Sequence, residues 1–227
     1  MRLSIIIPAL NESGNIVAAL TPLQSMRARG VEVILVDGGS NDQTTQLAAP
    51  LVDRVVTASR GRALQMNAGA AAAAGHILLF LHADSGLPSD ADQLILDGLQ
   101  SGASAWGRFD VSIEGRHFFL PVVAWCMNRR SRLTGLATGD QGLFMTAVAF
   151  SQVGGFAKIP LMEDVAMCAA LRESGPPLCL RQKIITSGRR WEKHGVWRTI
   201  LLMWRLRLAY FFGADPAELH RTYYGAK

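Results

Sequence analysis

Val31-Glu32-Val33-Ile34-Leu35-Val36-Asp37-Gly38-Gly39-Ser40-Asn41-Asp42 is the stretch on which the fold turns. Apart from Glu32, its first six residues are apolar at every position, as in a strand covered on both faces of a sheet; a half-solvated strand would alternate. The run then passes directly into a turn carrying an aspartate, two glycines and three further polar residues. Upstream, Leu3-Ser4-Ile5-Ile6-Ile7 repeats the strand pattern and ends at Pro8-Ala9-Leu10-Asn11-Glu12. A helix is expected over 14–28, capped by Asn11 or Ser13 and stopped by Gly30. Downstream come a second helix, a short strand at 54–56, an alanine-rich helix over 62–74 and a strand at 76–81 that ends in His82-Ala83-Asp84.

This alternation predicts an α/β fold: a mostly parallel, Rossmann-like central sheet flanked by helices, with its ligand site beyond the carboxyl ends of the strands. Asn11, Glu12, Asp37 and Asp84 all fall at those ends. A single aspartate after a strand is most often a turn residue; several at successive strand ends point to one shared site. The second half is less regular. Strands are expected at 105–113, 143–146 and 178–185, and helices at 118–130, 147–153 and 162–173.

The chain has 227 residues, 49% hydrophobic, a formal net charge of +5 and a pI near 9.5. That length suits one domain with a C-terminal appendage, divided as 1–195 and 196–227. The basic balance favours anionic company such as nucleotide phosphates or lipid headgroups. Nucleic acid is not expected, because the basic residues are scattered and no stacking aromatics accompany them. Three widely spaced cysteines suggest neither a disulfide framework nor a zinc site, which fits a cytoplasmic setting. The opening apolar run is cut by Pro8 below the length of a secretion signal and reads as a first strand.

Residues 196–212 are long, apolar and aromatic, but carry Arg198, Arg205 and Arg207. Each arginine costs about 2.5–3.5 kcal/mol at a bilayer centre, so spanning is not expected. An amphipathic helix remains, with Trp197, Ile200, Leu201, Trp204 and Leu208 on its apolar face. It would lie at the inner face of the membrane, on the protein's own core, or against a second copy in a homodimer.

Taken together, Pro8-Ala9-Leu10-Asn11-Glu12, Val36-Asp37-Gly38-Gly39-Ser40-Asn41-Asp42, Gly61-Arg62 with Asn67-Ala68-Gly69, Phe80-Leu81-His82-Ala83-Asp84, Gly154-Gly155-Phe156 and Glu163-Asp164 resemble, in order and spacing, family 2 glycosyltransferases of GT-A fold. Thr138-Gly139-Asp140-Gln141-Gly142, Arg189-Arg190-Trp191-Glu192 and His194-Gly195-Val196-Trp197-Arg198 are similar to a small stand-alone subgroup associated with radical-SAM and selenodomain neighbours. The resemblance spans nearly the whole chain. It implies an enzyme that moves a sugar, with inversion, from a nucleotide diphosphate sugar to an acceptor, lipid-linked or soluble.

The resemblance also assigns residues. Pro8, Ala9, Leu10, Asn11 and Glu12 would line the nucleoside pocket, and Asp37, with Gly39 beside it, would contact the base. Arg62, Asn67, His82, Ala83, Asp140, Gln141, Arg189, Arg190 and Trp191 would complete the donor site. Asp84 would hold a divalent metal, Mn²⁺ or Mg²⁺; His82 is either a further ligand or a partner of ribose or phosphate, and His194 either completes the metal site or touches phosphate. Members of this fold usually carry Asp-x-Asp there; His82-Ala83-Asp84 replaces one carboxylate by imidazole, a ligand better suited to Mn²⁺ than to Mg²⁺. Asp164 would be the catalytic base, with Glu163 as its orienting neighbour. Processive members carry Gln or Arg, then two further residues, then Arg-Trp; Ser187-Gly188-Arg189-Arg190-Trp191 keeps the Arg-Trp but has serine at the first position, which argues against chain building. A sugar-phosphate nucleotidyltransferase would show a Gly-rich loop after the first strand, which residues 8–15 do not provide. A catalytically silent nucleotide- or membrane-binding protein would not need Asp37, Asp84 and Asp164 together.

Overall fold

Ile5, Ile6 and Ile7 are completely buried, so β1 (Leu3–Ala9) is covered on both faces, as its unbroken apolar run requires. The computed structural model describes residues 1–225. After β1 come α1 (Ile16–Leu20), α2 (Gln24–Ala28), β2 (Glu32–Asp37), α3 (Thr44–Ala48), β3 (Arg54–Thr57), α4 (Arg62–Ala72), β4 (Ile77–Phe80), β5 (Ser85–Gly86) and α5 (Ala91–Gln100). The second half adds β6 (Trp106–Glu114), α6 (Leu120–Thr134), β7 (Leu143–Thr146), α7 (Ala147–Gln152), α8 (Glu163–Leu171), β8 (Leu178–Ser187), α9 (Arg189–His194), α10 (Val196–Phe211) and α11 (Pro216–Gly225).

The strands form one sheet in the order β3-β2-β1-β4-β7-β6-β8-β5. β3, β2, β1 and β4 run parallel, β7 is antiparallel to both its neighbours, and β6 and β8 are parallel again. The expected mostly parallel α/β sheet is therefore present. From β1 the chain builds outward through β2 and β3, then crosses back to place β4 on the other side. That reversal opens a crevice at the carboxyl ends of β1 and β4. One apolar cluster covers one face of the sheet around Ile5, Ile7, Val33 and Leu79, and a second covers the other around Ile6, Ile34, Val36 and Phe80.

Two sequence expectations change. The helix expected over 14–28 is two short helices joined by a 3₁₀ turn, Thr21–Leu23, which contains Pro22; proline has no N–H to continue an α-helical ladder. α5 was not anticipated, although Ala91, Ile95 and Leu99 form its buried stripe at four-residue spacing. α4 lies so close to the sheet that a Cβ on Gly69 would sit 2.4 Å from Ile6 Cγ2. This approach brings Gln65 between the ends of β1 and β2, where its amide donates to the carbonyls of Ala9 and Val36, both at 2.9 Å.

The segment expected as an appendage packs on the rest of the chain. Val196 joins Leu120 and Val123 in one apolar cluster, and Leu206 and Leu219 enclose Met162 in another. Residues 226 and 227 of that segment lie outside the described residues.

Candidate functional site

The first wall of the crevice is two loops laced together. Asn11 adopts a left-handed backbone conformation (φ 54°) that turns the chain sharply after β1. Its N–H donates to Ser40 Oγ, and its side-chain oxygen accepts from the Asn41 N–H. The Glu12 N–H donates to Thr44 Oγ1, and the Ser13 N–H to Asp42. These contacts hold Asp42 down to about 2, chiefly through the Thr44 hydroxyl, against the effect of burial. Asp37 is buried and accepts from the Gly39 and Ser40 N–H groups and the Ser40 hydroxyl. Its carboxylate shapes the 38–40 turn, which Gly39 completes at φ +89°.

The opposite wall comes from the end of β4, the 138–142 loop and the start of α8. His82 Nδ1 lies 3.2 Å from Asp140 Oδ1. Burial raises the Asp140 carboxyl, but the hydrogen bond and charge of His82, with Arg62 and Arg190 nearby, more than offset this and hold it below its ordinary value. Gly139 is the pivot of the loop. Its N–H donates to Asp164 Oδ2 at 2.9 Å, and a Cβ there would come within 2.3 Å of His82 Nε2. Only glycine lets this backbone join the imidazole and the carboxylate so closely.

Asp164 and Glu163 open α8, where acidic side chains face the helix's positive end. Met162, just before them, is held at φ 70°, an unusual conformation for a non-glycine residue. It is fixed by packing of Met162 against Leu206 and Leu219. Glu163 is almost fully buried, with Oε1 3.3 Å from Arg62 Nη1. A small cavity is lined by Arg62, Phe80, His82, Gly139, Glu163 and Asp164 among others, so residues from α4, β4, the 138–142 loop and α8 share one space.

Burial first, and then the charge of Asp164, raise the Glu163 carboxyl above its ordinary value of 4.5, while Arg62 pulls it back. Between the ordinary and the raised value the native state binds more protons than the unfolded chain, so this group's contribution to stability falls as pH rises through that window. Arg62→Met removes the compensating charge and extends the window upward. Urea unfolding midpoints measured from pH 4.5 to neutrality are expected to fall more steeply in the variant than in wild type; parallel curves would remove Arg62 from this pairing.

Several residues expected at the donor site make contacts within the protein. Asn67 donates its amide to the Phe156 carbonyl and accepts from the Phe156 N–H, so it ties down the turn at 154–156. Gln141 is fully buried and donates to Ser131 Oγ at 3.0 Å, turned into the polar interior between β6 and α6 and away from the crevice. Trp191 packs against the cluster of Val111, Leu120 and Val196. Arg190 stacks on the Tyr223 ring, 3.5 Å from its centroid, and donates to the Tyr223 carbonyl. His194 lines a second small cavity with Arg190, Arg198 and Tyr223.

His82 has Nδ1 engaged by Asp140, and its Nε2 is buried without a hydrogen-bond partner among the described residues, on the cavity it shares with Arg62 and Asp164. Among the described residues, no group of three His, Cys, Asp or Glu side chains is placed to hold a metal ion. Asp84 stands one third exposed at the end of the β4 segment, with Arg189 3.8 Å away. A hard oxygen donor of this kind suits an ion that keeps most of its coordination for phosphate and water.

Sequence reasoning passed over three contributors. Gln65 holds the β1 and β2 ends, Gly139 joins His82 to Asp164, and Arg130 of α6 lies within electrostatic reach of Asp164 and Asp140, its guanidinium pulled below its ordinary value by burial. Gly139 stood within a quoted motif; Arg130 carried no signal to separate it from its neighbours Arg129 and Arg132.

The family model described as "Glycosyl transferase family 2" matches residues 4–151. Among curated proteins, a PGL/p-HBAD biosynthesis glycosyltransferase of Mycobacterium tuberculosis is 40% identical over 98 residues, which is 40% of this chain and 38% of that one. The chain thus spans well under half the length of this relative. Among solved structures, TarS of S. aureus in complex with UDP-GlcNAc aligns with TM-score 0.67 and 17% identity, covering 82% of this chain and 58% of that one. The mannosyltransferase PcManGT from Pyrobaculum calidifontis in complex with GDP-Man and Mn²⁺ aligns with TM-score 0.67 and 20% identity, covering 92% and 61%. At such identities these two likenesses speak to the fold.

Proposed function

The chain belongs to glycosyl transferase family 2 and has the GT-A fold, and from that premise we propose that it transfers a sugar from a nucleotide diphosphate sugar to an acceptor hydroxyl. The observation that carries the proposal is the junction at Gly139, where an aspartate of the first turn of α8, a histidine two residues past β4 and the Asp140 carboxylate meet.

In this reading the laced loops at 8–13 and 37–44 receive the nucleoside. The Asp37 carboxylate, already organised by backbone N–H groups, accepts from base or ribose. Arg189 and Asp84, at the mouth beside the end of β4, receive the diphosphate. A divalent ion shared between Asp84 and the phosphate oxygens would neutralise the charge that the leaving diphosphate develops. Asp164 takes the proton of the acceptor hydroxyl as its oxygen attacks the anomeric carbon from the face opposite the diphosphate. A single displacement of this kind inverts the anomeric configuration. Glu163 and Arg62 fix the start of α8, and Gly139 fixes the carboxylate that acts. Residues 1–195 form the transfer domain in this proposal, and 196–225 add helices beside its acceptor side.

Calorimetric titration with UDP and with GDP, each in Mn²⁺ and in chelator, tests the reading. Saturable binding of one nucleotide, at least about tenfold tighter with Mn²⁺, is the expected result. Absence of binding by either nucleotide would return the chain to the reading of a silent protein on a transferase fold.

A further inference from the structure

α10 buries one side and leaves the other bare. Thr199, Leu202, Met203 and Leu206 face the protein, where Leu202, Met203 and Leu206 pack beside Met162 and Leu219. Trp197, Leu201, Trp204, Leu208 and Phe211 stand between 60% and 81% exposed at spacings of three and four residues. They form a continuous apolar stripe along the helix. Isolated exposed apolar residues need no explanation, but a stripe of five large ones does.

The stripe does not end with the helix. Phe119 meets Trp197 with ring centroids 4.7 Å apart, and Phe118, 83% exposed, follows Phe119 at 6.3 Å. Along α6, Val122 and Trp125 continue outward from Phe118 at helical spacing, both exposed. Two helices distant in sequence thus contribute to one apolar surface. Exposed arginines lie on the same two helices, Arg129, Arg198 and Arg205, with Arg129 over the Trp125 ring. Neither α6 nor α10 contains a single aspartate or glutamate.

We propose that this surface, built from the exposed faces of α6 and α10, docks the protein on an anionic lipid bilayer, with the tryptophans and phenylalanines entering the interface and the arginines meeting headgroup phosphates. Charge decides the occupant. A second copy set against the same face would bring Arg198 and Arg205 toward their own equivalents with no acidic partner on either helix, whereas an anionic leaflet pairs with every one of them. Aromatic rings with basic neighbours are suited to the headgroup boundary. Among the described residues no helix is long and apolar enough to cross a membrane, so contact is by one face only. The inference does not depend on the donor site, and lipid binding and nucleotide binding are separable.

Flotation of the full chain with phosphatidylcholine vesicles, with and without phosphatidylglycerol, tests it. Binding is expected to the mixed vesicles, with a blue shift in tryptophan emission, and is expected to weaken as salt is raised. The pair Trp204→Ser and Leu208→Ser, at exposed positions that leave the fold intact, should lower partitioning by about tenfold or more. Arg198→Glu with Arg205→Glu should lower it by a similar factor only where phosphatidylglycerol is present. Thermal unfolding and UDP or GDP titration should be unchanged in both variants. Failure to bind mixed vesicles, equal binding to both vesicle types, or a dimer in light scattering that the Trp204→Ser and Leu208→Ser pair dissociates would each overturn the proposal.

Discussion

Asp164→Asn is expected to bind the donor nucleotide as wild type does and to transfer sugar about 10²–10⁴-fold more slowly, the usual contribution of a positioned general base. The substitution isolates the proton-accepting role because it spares the scaffold. The amide oxygen can still accept the Gly139 N–H that Oδ2 accepts at 2.9 Å. What is lost is the hydrogen bond from the Val165 N–H to Oδ1 and a negative charge in the first turn of α8, together worth about 1 kcal/mol of stability. A rate loss far larger than that stability loss, with nucleotide affinity intact by calorimetry, would place the defect in the chemical step. Equal turnover of variant and wild type would remove Asp164 from the mechanism and leave the Gly139 contact as a loop anchor. Glu163 cannot substitute. It is buried against Arg62, and burial raises its carboxyl, so its charge is committed to that pair.

The half of the fold that positions this site was legible because parallel strands covered on both faces leave an unmistakable pattern. The apolar runs at 3–7 and 31–36 predict strands, and the polar residues that follow them do stand at the crevice mouth. Less legible was where each polar side chain points. Gln141 and Asp140 are adjacent in a tight loop, yet one turns into a buried polar network with Ser131 and the other outward to His82. That choice is made by partners on α6 that lie far away in sequence. Asn67 is a similar case: its side chain bridges to the backbone of Phe156, a partner far away in sequence. On α10 the difficulty was that both faces are apolar. Hydropathy grouped Ile200 with Trp197 and Trp204, whereas Ile200 packs inward beside Val196 and the tryptophans stay outside. The sequence marked the helix as amphipathic, and only packing against Met162 and Leu120 determined which side met the protein.

The second large effect is expected from Asp84→Ala. In the proposed arrangement this carboxylate is the protein's own oxygen donor beside the donor diphosphate, because His82 is turned to Asp140 and His194 lines a different cavity. Charge neutralisation of a leaving diphosphate is worth several kcal/mol, and each 1.4 kcal/mol is a factor of ten, so the variant should lose roughly a hundredfold or more in turnover. Nucleotide binding separates this role from a merely structural one. Wild type should bind more tightly with Mn²⁺ than with chelator, whereas Asp84→Ala should bind equally weakly in both. The carboxylate also faces Arg189 at 3.8 Å, an exposed pair that contributes little to stability, so thermal unfolding should barely change. Should Asp84→Ala keep its full response to Mn²⁺ in calorimetry, the ion is held elsewhere, and the imidazole of His82 would have to leave Asp140 to reach it. His82→Gln would then abolish the Mn²⁺ response, and the Nδ1 contact to Asp140 at 3.2 Å is the one the imidazole would give up.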